Sequence, residues 1–103
     1  MEPMYGLLAN DLEKMREVFE RYPQVNRVIL YGSRAKGNFK PGSDIDMTLE
    51  AKMDSQTYGQ LLTDLDDLLL PYQIDLSLYH QLQNPELISH INRVGKVLYE
   101  RHS

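Results

Sequence analysis

Residues 30–50 read LYGSRAKGNFKPGSDIDMTLE, and this stretch decides the fold class because it joins two strands of different character. The segment that leads into it, Val25–Tyr31, is rich in β-branched and aromatic residues and ends at Gly32, which is typical of a largely buried strand. From Asp44 to Ala51, polar and apolar residues alternate, which predicts a strand with one buried face. Between them, Ser33–Ser43 is small and basic and is predicted to be a loop, with room for one helical turn at its start.

Before this stretch, apolar residues recur at steps of three and four and predict a first helix. Pro23 ends it, and Asn10 with Glu13 forms a candidate capping box near its start; an earlier start is the alternative. The apolar face comprises Leu8, Leu12, Met15, Phe19 and Tyr22.

After it, the same spacing predicts a second helix, capped by Asp54 or Ser55 and stopped by Pro71. The apolar face of that helix comprises Tyr58, Leu61, Leu62, Leu65, Leu68 and Leu69.

The last third of the chain adds two strands and one helix. Gln73–Tyr79 alternates and predicts a strand, and Lys96–Glu100 predicts a short final one. Asn84 and Pro85 are an N-cap and a first helical residue, and that helix runs to about Val94, before Gly95. The order α-β-β-α-β-α-β predicts an α/β (α+β) fold in which helices flank a mixed sheet, as a single domain over residues 1–103.

Composition narrows the classes of function. The chain has 103 residues, of which 42% are hydrophobic, and no cysteine, so disulfides, thiolate catalysis and cysteine-bound zinc are excluded. A net charge of -4 gives no overall field for nucleic acid, and we expect no direct nucleic-acid binding. No apolar run approaches the ~18 residues of a membrane span, and no secretion signal is visible. We therefore expect a cytoplasmic protein without membrane contact.

Three acids are candidates for chemistry. Asp44 and Asp46 lie on one face of their predicted strand, with Cα atoms about 7 Å apart, and Asp75 lies on the polar face of Gln73–Tyr79. If the two strands are neighbours, three carboxylates converge, and one or two hard divalent cations such as Mg²⁺ would relieve their repulsion. The ordinary alternative is a solvated polar strand face.

A second candidate feature is the turn that follows the buried strand. Gly32 lets a backbone approach closely, and free N–H groups with the Ser33 hydroxyl can hold phosphate oxygens. Arg34, Lys36 and Lys40 supply positive charge beside them. Alone, Gly-Ser is more often a plain turn; with the acids it predicts phosphoryl or nucleotidyl transfer, in which Asp75 accepts a proton from the attacking hydroxyl.

Gly32-Ser33, ten residues from Arg34 to Ser43, and Asp44-Ile45-Asp46 resemble the signature of the DNA polymerase β-type nucleotidyltransferase superfamily. The sequence of residues 30–50 is similar to the minimal nucleotidyltransferases, called MNT proteins. The strand with Asp75 resembles that family's third-carboxylate strand.

The resemblance implies a nucleotidyltransferase that moves AMP from ATP, with two Mg²⁺ ions, onto a hydroxyl. It assigns Asp44, Asp46 and Asp75 as catalytic and metal-binding residues. It assigns Gly32, Ser33, Arg34 and Lys36 to the nucleotide. It also implies a HEPN-type RNase toxin as partner, which the MNT protein neutralises as an antitoxin by adenylylating a tyrosine (AMPylation).

Two other functions remain open at this point. The chain could mask its partner without catalysis, or it could modify a small alcohol. Its oligomeric state, with itself or with a partner, is also open. His80, His90 and His102 are scattered, and we predict surface or partly buried side chains rather than metal ligands.

Overall fold

A four-stranded mixed sheet forms the centre of the molecule in the computed structural model, which describes residues 5–40 and 42–101. Its strands are Val25–Tyr31 (β1), Ile45–Ala51 (β2), Ile74–Leu78 (β3) and Lys96–Glu100 (β4). The spatial order is β3-β2-β1-β4; β1 runs antiparallel to β2 and β4, while β2 and β3 are parallel. The predicted fold class is therefore confirmed.

Helices cover the two faces of this sheet unequally. The helices are Ala9–Glu20 (α1), Gly32–Lys36 (α2), Ser55–Asp66 (α3) and Pro85–Val94 (α4), and a 3-10 turn spans Tyr79–Gln81. The larger apolar cluster joins α1 and α3 to one sheet face, whereas Ile91 of α4 packs on Ile29 and Tyr31 of the other. In the described ranges, no helix has the length and apolar character that a membrane crossing needs.

Two of the predicted helix starts are confirmed. The Asp54 side chain accepts a hydrogen bond of 2.7 Å from the backbone N–H of Thr57, and Asn84 accepts one of 2.9 Å from Glu86. Both are N-cap bonds of the usual kind, and Pro85 opens the first turn of α4.

The predicted capping box of the first helix is wrong. Asn10 lies inside α1, and the N-cap is Leu8, which makes no side-chain capping bond. The carbonyl of Leu8 already accepts a 3.0 Å bond from the N–H of Leu12. The helix begins at Ala9, two residues after Leu7, which is fully buried in the core.

The second helix ends earlier than Pro71 predicts. After Asp66 the chain tightens, as Leu68 and Leu69 donate 3.1 Å backbone bonds to Leu65 and Asp66 respectively. Leu69 then adopts a left-handed conformation with φ 53° and is 88% exposed. Its predicted place on the buried helix face is therefore wrong. The reason is that α3 ends at Asp66, so the helical spacing no longer applies at Leu69.

The polar face of β2 is more buried than simple alternation predicts. Thr48 is fully buried, and its hydroxyl oxygen accepts a 3.0 Å bond from the hydroxyl of Ser77 on β3. This pair sits one alternating step beyond Asp46 and Asp75 and fixes the two strands in register at that point.

Candidate active site

The register of β2 and β3 brings two of the predicted acids together. Asp46 and Asp75 are direct Cα partners in the parallel pair, so both side chains leave the same sheet face. Adjacent strands lie about 4.8 Å apart, which places the carboxylates within reach of a shared ligand. The strand adjacency on which the sequence prediction depended is therefore confirmed.

Gly32 meets this acid pair from the neighbouring strand. Tyr31 of β1 is opposite Asp46, so the chain turns away from the sheet directly above that carboxylate. Gly32 has φ +75°, and a Cβ atom built on it would collide with Oδ2 of Asp46. Only glycine combines this backbone conformation with so close an approach. Ser33 follows, half-buried, at the start of the short helix α2.

The electrostatics of Asp46 show an excess of negative charge. Partial burial raises the pKa of its carboxyl above the ordinary value, and the charges of Asp75 and then Asp44 raise it further. His90 acts in the opposite direction. A cation bound beside such a carboxylate would stabilise its charged form and offset the repulsion from the neighbouring acids.

The donor chemistry of the three acids fits a hard cation, since carboxylate oxygens are the ligands of Mg²⁺. Asp44, exposed just before β2, and exposed Asp75 flank half-buried Asp46. Across residues 5–40 and 42–101, however, no three potential ligand side chains are already gathered at metal-binding distance. The acids therefore share one end of the sheet without forming a preassembled centre.

His90 is the functional candidate that sequence reasoning missed. Its Nε2 accepts a 3.1 Å hydrogen bond from the backbone N–H of Gly32, and its ring lies edge-on to Tyr31, with centroids 6.1 Å apart. The prediction of a partly buried histidine is confirmed, but its contact with the glycine turn was not foreseen. The helical spacing could have indicated that His90 faces the sheet, because it follows Leu87 by three residues and lies on the helix face that carries Ile91.

Arg34 is placed differently from the sequence prediction. Its side chain is buried, and its guanidinium donates bonds of 2.7 Å to the carbonyl of Ser43 and 3.0 Å to that of Tyr5. The rings of Phe39 and Tyr72 lie on it, with centroids 5.2 and 5.3 Å from Cζ. These contacts turn the guanidinium toward the loop backbone, so we correct the assignment of Arg34 from phosphate ligand to loop anchor.

Lys36 remains available for the role that Arg34 does not take. It is exposed at the end of α2, on the segment that begins with the glycine turn. The basic charge predicted beside Gly32 and Ser33 is thus left to Lys36 and Lys40, which are both exposed.

A mixed sheet that sets a glycine turn over paired strand carboxylates defines a protein of the nucleotidyltransferase class. The family model described as Polymerase beta, Nucleotidyltransferase matches residues 13–103. Since that match spans most of the sequence, the chain belongs to the polymerase β-type nucleotidyltransferase family.

Several solved structures with the same fold are toxin–antitoxin complexes. One, a toxin–antitoxin with AMP-PNP, is 23% identical, with a TM-score of 0.65 over 89% of this chain and 73% of that one. The MntA-HepT complex is 20% identical, with a TM-score of 0.65 over 91% and 74%. A tri-AMPylated Shewanella oneidensis HEPN toxin in complex with MNT antitoxin is 20% identical, with a TM-score of 0.64 over 89% of this chain and 71% of that one. At these identities the likeness establishes the fold. Among curated protein sequences, none matches this chain significantly.

Proposed function

We propose that this protein transfers AMP from ATP to a hydroxyl of a HEPN-type partner, most simply a tyrosine, and thereby acts as its antitoxin. The observation that carries the proposal is the approach of Gly32 to the Asp46 carboxylate, with Asp75 beside it in register. This arrangement puts the backbone of the glycine turn directly against acids that can hold a metal and take up a proton.

The glycine turn is the proposed phosphate site. Backbone N–H groups of Gly32 and Ser33, with the Ser33 hydroxyl, would hold phosphate oxygens, and Lys36 would neutralise part of their charge. In the protein alone, the N–H of Gly32 donates to Nε2 of His90, so phosphate binding at this group would replace that bond.

Asp44, Asp46 and Asp75 are the proposed holders of Mg²⁺. When bound, the metal would offset phosphate charge and lower the pKa of the attacking hydroxyl. The raised pKa of Asp46 supports this assignment, because burial disfavours its charged form, the charges of Asp75 and Asp44 disfavour it further, and a bound cation would favour it.

Asp75 is the proposed proton acceptor. It is exposed, so a hydroxyl of another molecule can reach it, and it stands beside Asp46 on the same face. In the transfer, a bond forms between the acceptor oxygen and the α-phosphorus, the bond to pyrophosphate breaks, and the hydroxyl proton passes to Asp75. A phenol suits this step because it deprotonates more easily than an aliphatic alcohol.

The partner is proposed from the structural neighbours. Two of them are toxin–antitoxin complexes, one with AMP-PNP, and a third holds an AMPylated HEPN toxin. Those facts concern the neighbours; they support a HEPN-type acceptor here because this chain shares their fold and the family signature.

Label transfer tests the proposal. The protein is incubated with Mg²⁺, a candidate HEPN-type partner and ATP labelled at the α- or γ-phosphate. We expect label on the partner from α-labelled ATP alone, lost in Asp75→Asn and kept in Glu17→Gln, which removes an exposed acid of α1. If the partner is neutralised by wild type and Asp75→Asn alike, without label, the protein is a masking antitoxin instead.

A further inference from the structure

An open groove with both polar and apolar lining lies where α3 ends and β3 begins. It encloses about 500 Å³. Its apolar lining consists of Leu62, Leu65, Leu69, Leu70, Tyr72 and Ile74. This groove is at the end of α3, which covers the same sheet face as α1, and takes no part in the site built by Gly32 and Asp46.

Leu69 is the most exposed leucine of the groove and has an unfavourable backbone conformation. It is 88% exposed, and its φ of 53° is a conformation that leucine rarely adopts. Leu62, seven residues earlier and within α3, is 36% exposed. Leu69, exposed and conformationally strained, contributes little to the fold, and together with Leu62 it gives the groove an exposed apolar edge.

The groove is connected to the candidate active site at two points. Gln73 and Ile74 line it, and the next residue along β3 is Asp75. Tyr72 also lines it and lies on the guanidinium of Arg34, which holds the Ser43 carbonyl beside Asp44. A segment seated in the groove therefore lies against the chain that carries two of the three acids.

The charge around the groove selects its occupant. Asp66 lines it, Asp67 follows at the exposed end of α3, and the last turn of that helix has no basic residue. A helix C-terminus adds negative partial charge. A second copy of this chain, with net charge -4, would bring further repulsion, whereas a basic segment would be attracted.

We propose that this groove docks a basic helix with one apolar face, belonging to the acceptor protein. The apolar face would cover Leu62 and Leu69, and flanking lysines or arginines would pair with Asp66 and Asp67. The identity of that protein rests on the proposed function; the groove and the chemistry of its occupant do not.

Synthetic peptides test the groove directly. The probes are fluorescent peptides: a Leu/Lys amphipathic helix, a scrambled peptide of the same composition, and a Leu/Glu amphipathic helix. Anisotropy should show binding of the Leu/Lys helix to the wild-type protein. We expect Leu69→Asn to weaken that binding about tenfold or more, as for a central interface residue.

The substitution is chosen so that folding does not confuse the result. Asparagine tolerates the left-handed conformation better than leucine, so Leu69→Asn should keep or raise the melting temperature. Val97→Thr is the matched control, since Val97 is 48% exposed on β4, at the opposite edge of the sheet. It should bind the Leu/Lys helix as the wild type does.

Four results would overturn the docking proposal: no binding of the Leu/Lys helix, equal binding of the scrambled peptide, equal binding of the Leu/Glu peptide, or no effect of Leu69→Asn. Sedimentation that shows a wild-type dimer broken by Leu69→Asn would assign the groove to a second copy and overturn it too. Peptide binding without any AMP transfer would leave the groove standing and reject the proposed function. Loss of transfer in Leu69→Asn, with nucleotide binding kept, would support both.

Discussion

The backbone N–H of Gly32 donates a 3.1 Å hydrogen bond to Nε2 of His90, so a side chain from α4 occupies a donor that the proposed function gives to a phosphate. Nucleotide binding at Gly32 then requires this bond to be exchanged. The relationship ties the last helix of the chain to the turn that follows the first strand, and it makes His90 the side chain most directly in competition with nucleotide.

Removing that competitor should strengthen nucleotide binding. A net hydrogen bond is worth about 1 kcal/mol, so His90→Ala should bind Mg²⁺-ATP about fivefold more tightly. His80→Ala, which changes an exposed histidine on the 3-10 turn, should leave the affinity unchanged. Calorimetric titration of the three proteins measures this, and weaker binding by His90→Ala would mean that the imidazole contacts the nucleotide.

Alanine substitutions at two glycines distinguish the effect of backbone strain from the effect of blocking the site. Gly32 and Gly37 both have positive φ, but a Cβ atom at Gly37 meets nothing within 4 Å, while one at Gly32 strikes Asp46. Alanine at either position costs about 1–2 kcal/mol for the left-handed conformation. We expect Gly32→Ala to lose nucleotide binding and Gly37→Ala to retain it. Equal affinities in the two variants would remove Gly32 from the site.

Much of this architecture could be predicted because the relevant patterns are local. Alternation along residues 44–51 and 73–79 placed Asp46 and Asp75 on polar strand faces, and the structure pairs them. The caps at Asp54 and Asn84 are likewise local hydrogen bonds between near neighbours in sequence. Those patterns determine faces and ends of elements without knowledge of the rest of the chain.

What sequence could not predict depends on contacts between distant residues. Arg34 looked like a phosphate ligand because of its neighbours in sequence, but Tyr5, Ser43 and Tyr72 capture its guanidinium. Thr48 is buried because Ser77 on β3 meets its hydroxyl. Such contacts follow from how elements pack, which hydrophobic periodicity does not encode.

Without metal, Asp46 should cost stability at neutral pH. Burial and the charges of Asp75 and Asp44 raise its pKa in the folded state, so its ionised form is disfavoured there relative to the unfolded chain. Stability is therefore lost as pH rises from the unfolded pKa, near 4, through the raised folded value. Asp46→Asn in EDTA should melt at the same temperature as wild type or higher at pH 7.

The pH dependence supplies the control for this prediction. At about pH 3, where an aspartate is mostly protonated in both states, the difference between Asp46→Asn and wild type should shrink. Thermal denaturation followed by circular dichroism at the two pH values measures it. A clear fall in the melting temperature of the variant at pH 7 would show that Asp46 stabilises the fold.

Arg34 and Lys36 should separate folding from ligand binding. Arg34→Lys keeps the charge but loses the planar fork that serves two carbonyls, which should lower the free energy of unfolding by about 2 kcal/mol. Lys36→Ala, at an exposed position, should change stability by less than about 0.5 kcal/mol and weaken nucleotide binding. Denaturant unfolding and calorimetry on both variants test the pair; a stable Arg34→Lys with reduced affinity would restore Arg34 as a phosphate ligand.

The most direct test of the central claim is calorimetric titration with an ATP analogue that cannot be cleaved between the α- and β-phosphates. Wild-type protein and Asp46→Asn are compared, each with Mg²⁺ and with EDTA. The proposed site predicts binding by the wild type that requires Mg²⁺ and is lost in Asp46→Asn, whose fold is checked by its melting temperature. Absence of binding by the wild type, or binding of equal strength in Asp46→Asn, would contradict the assignment of Asp46 and Gly32 to a nucleotide site.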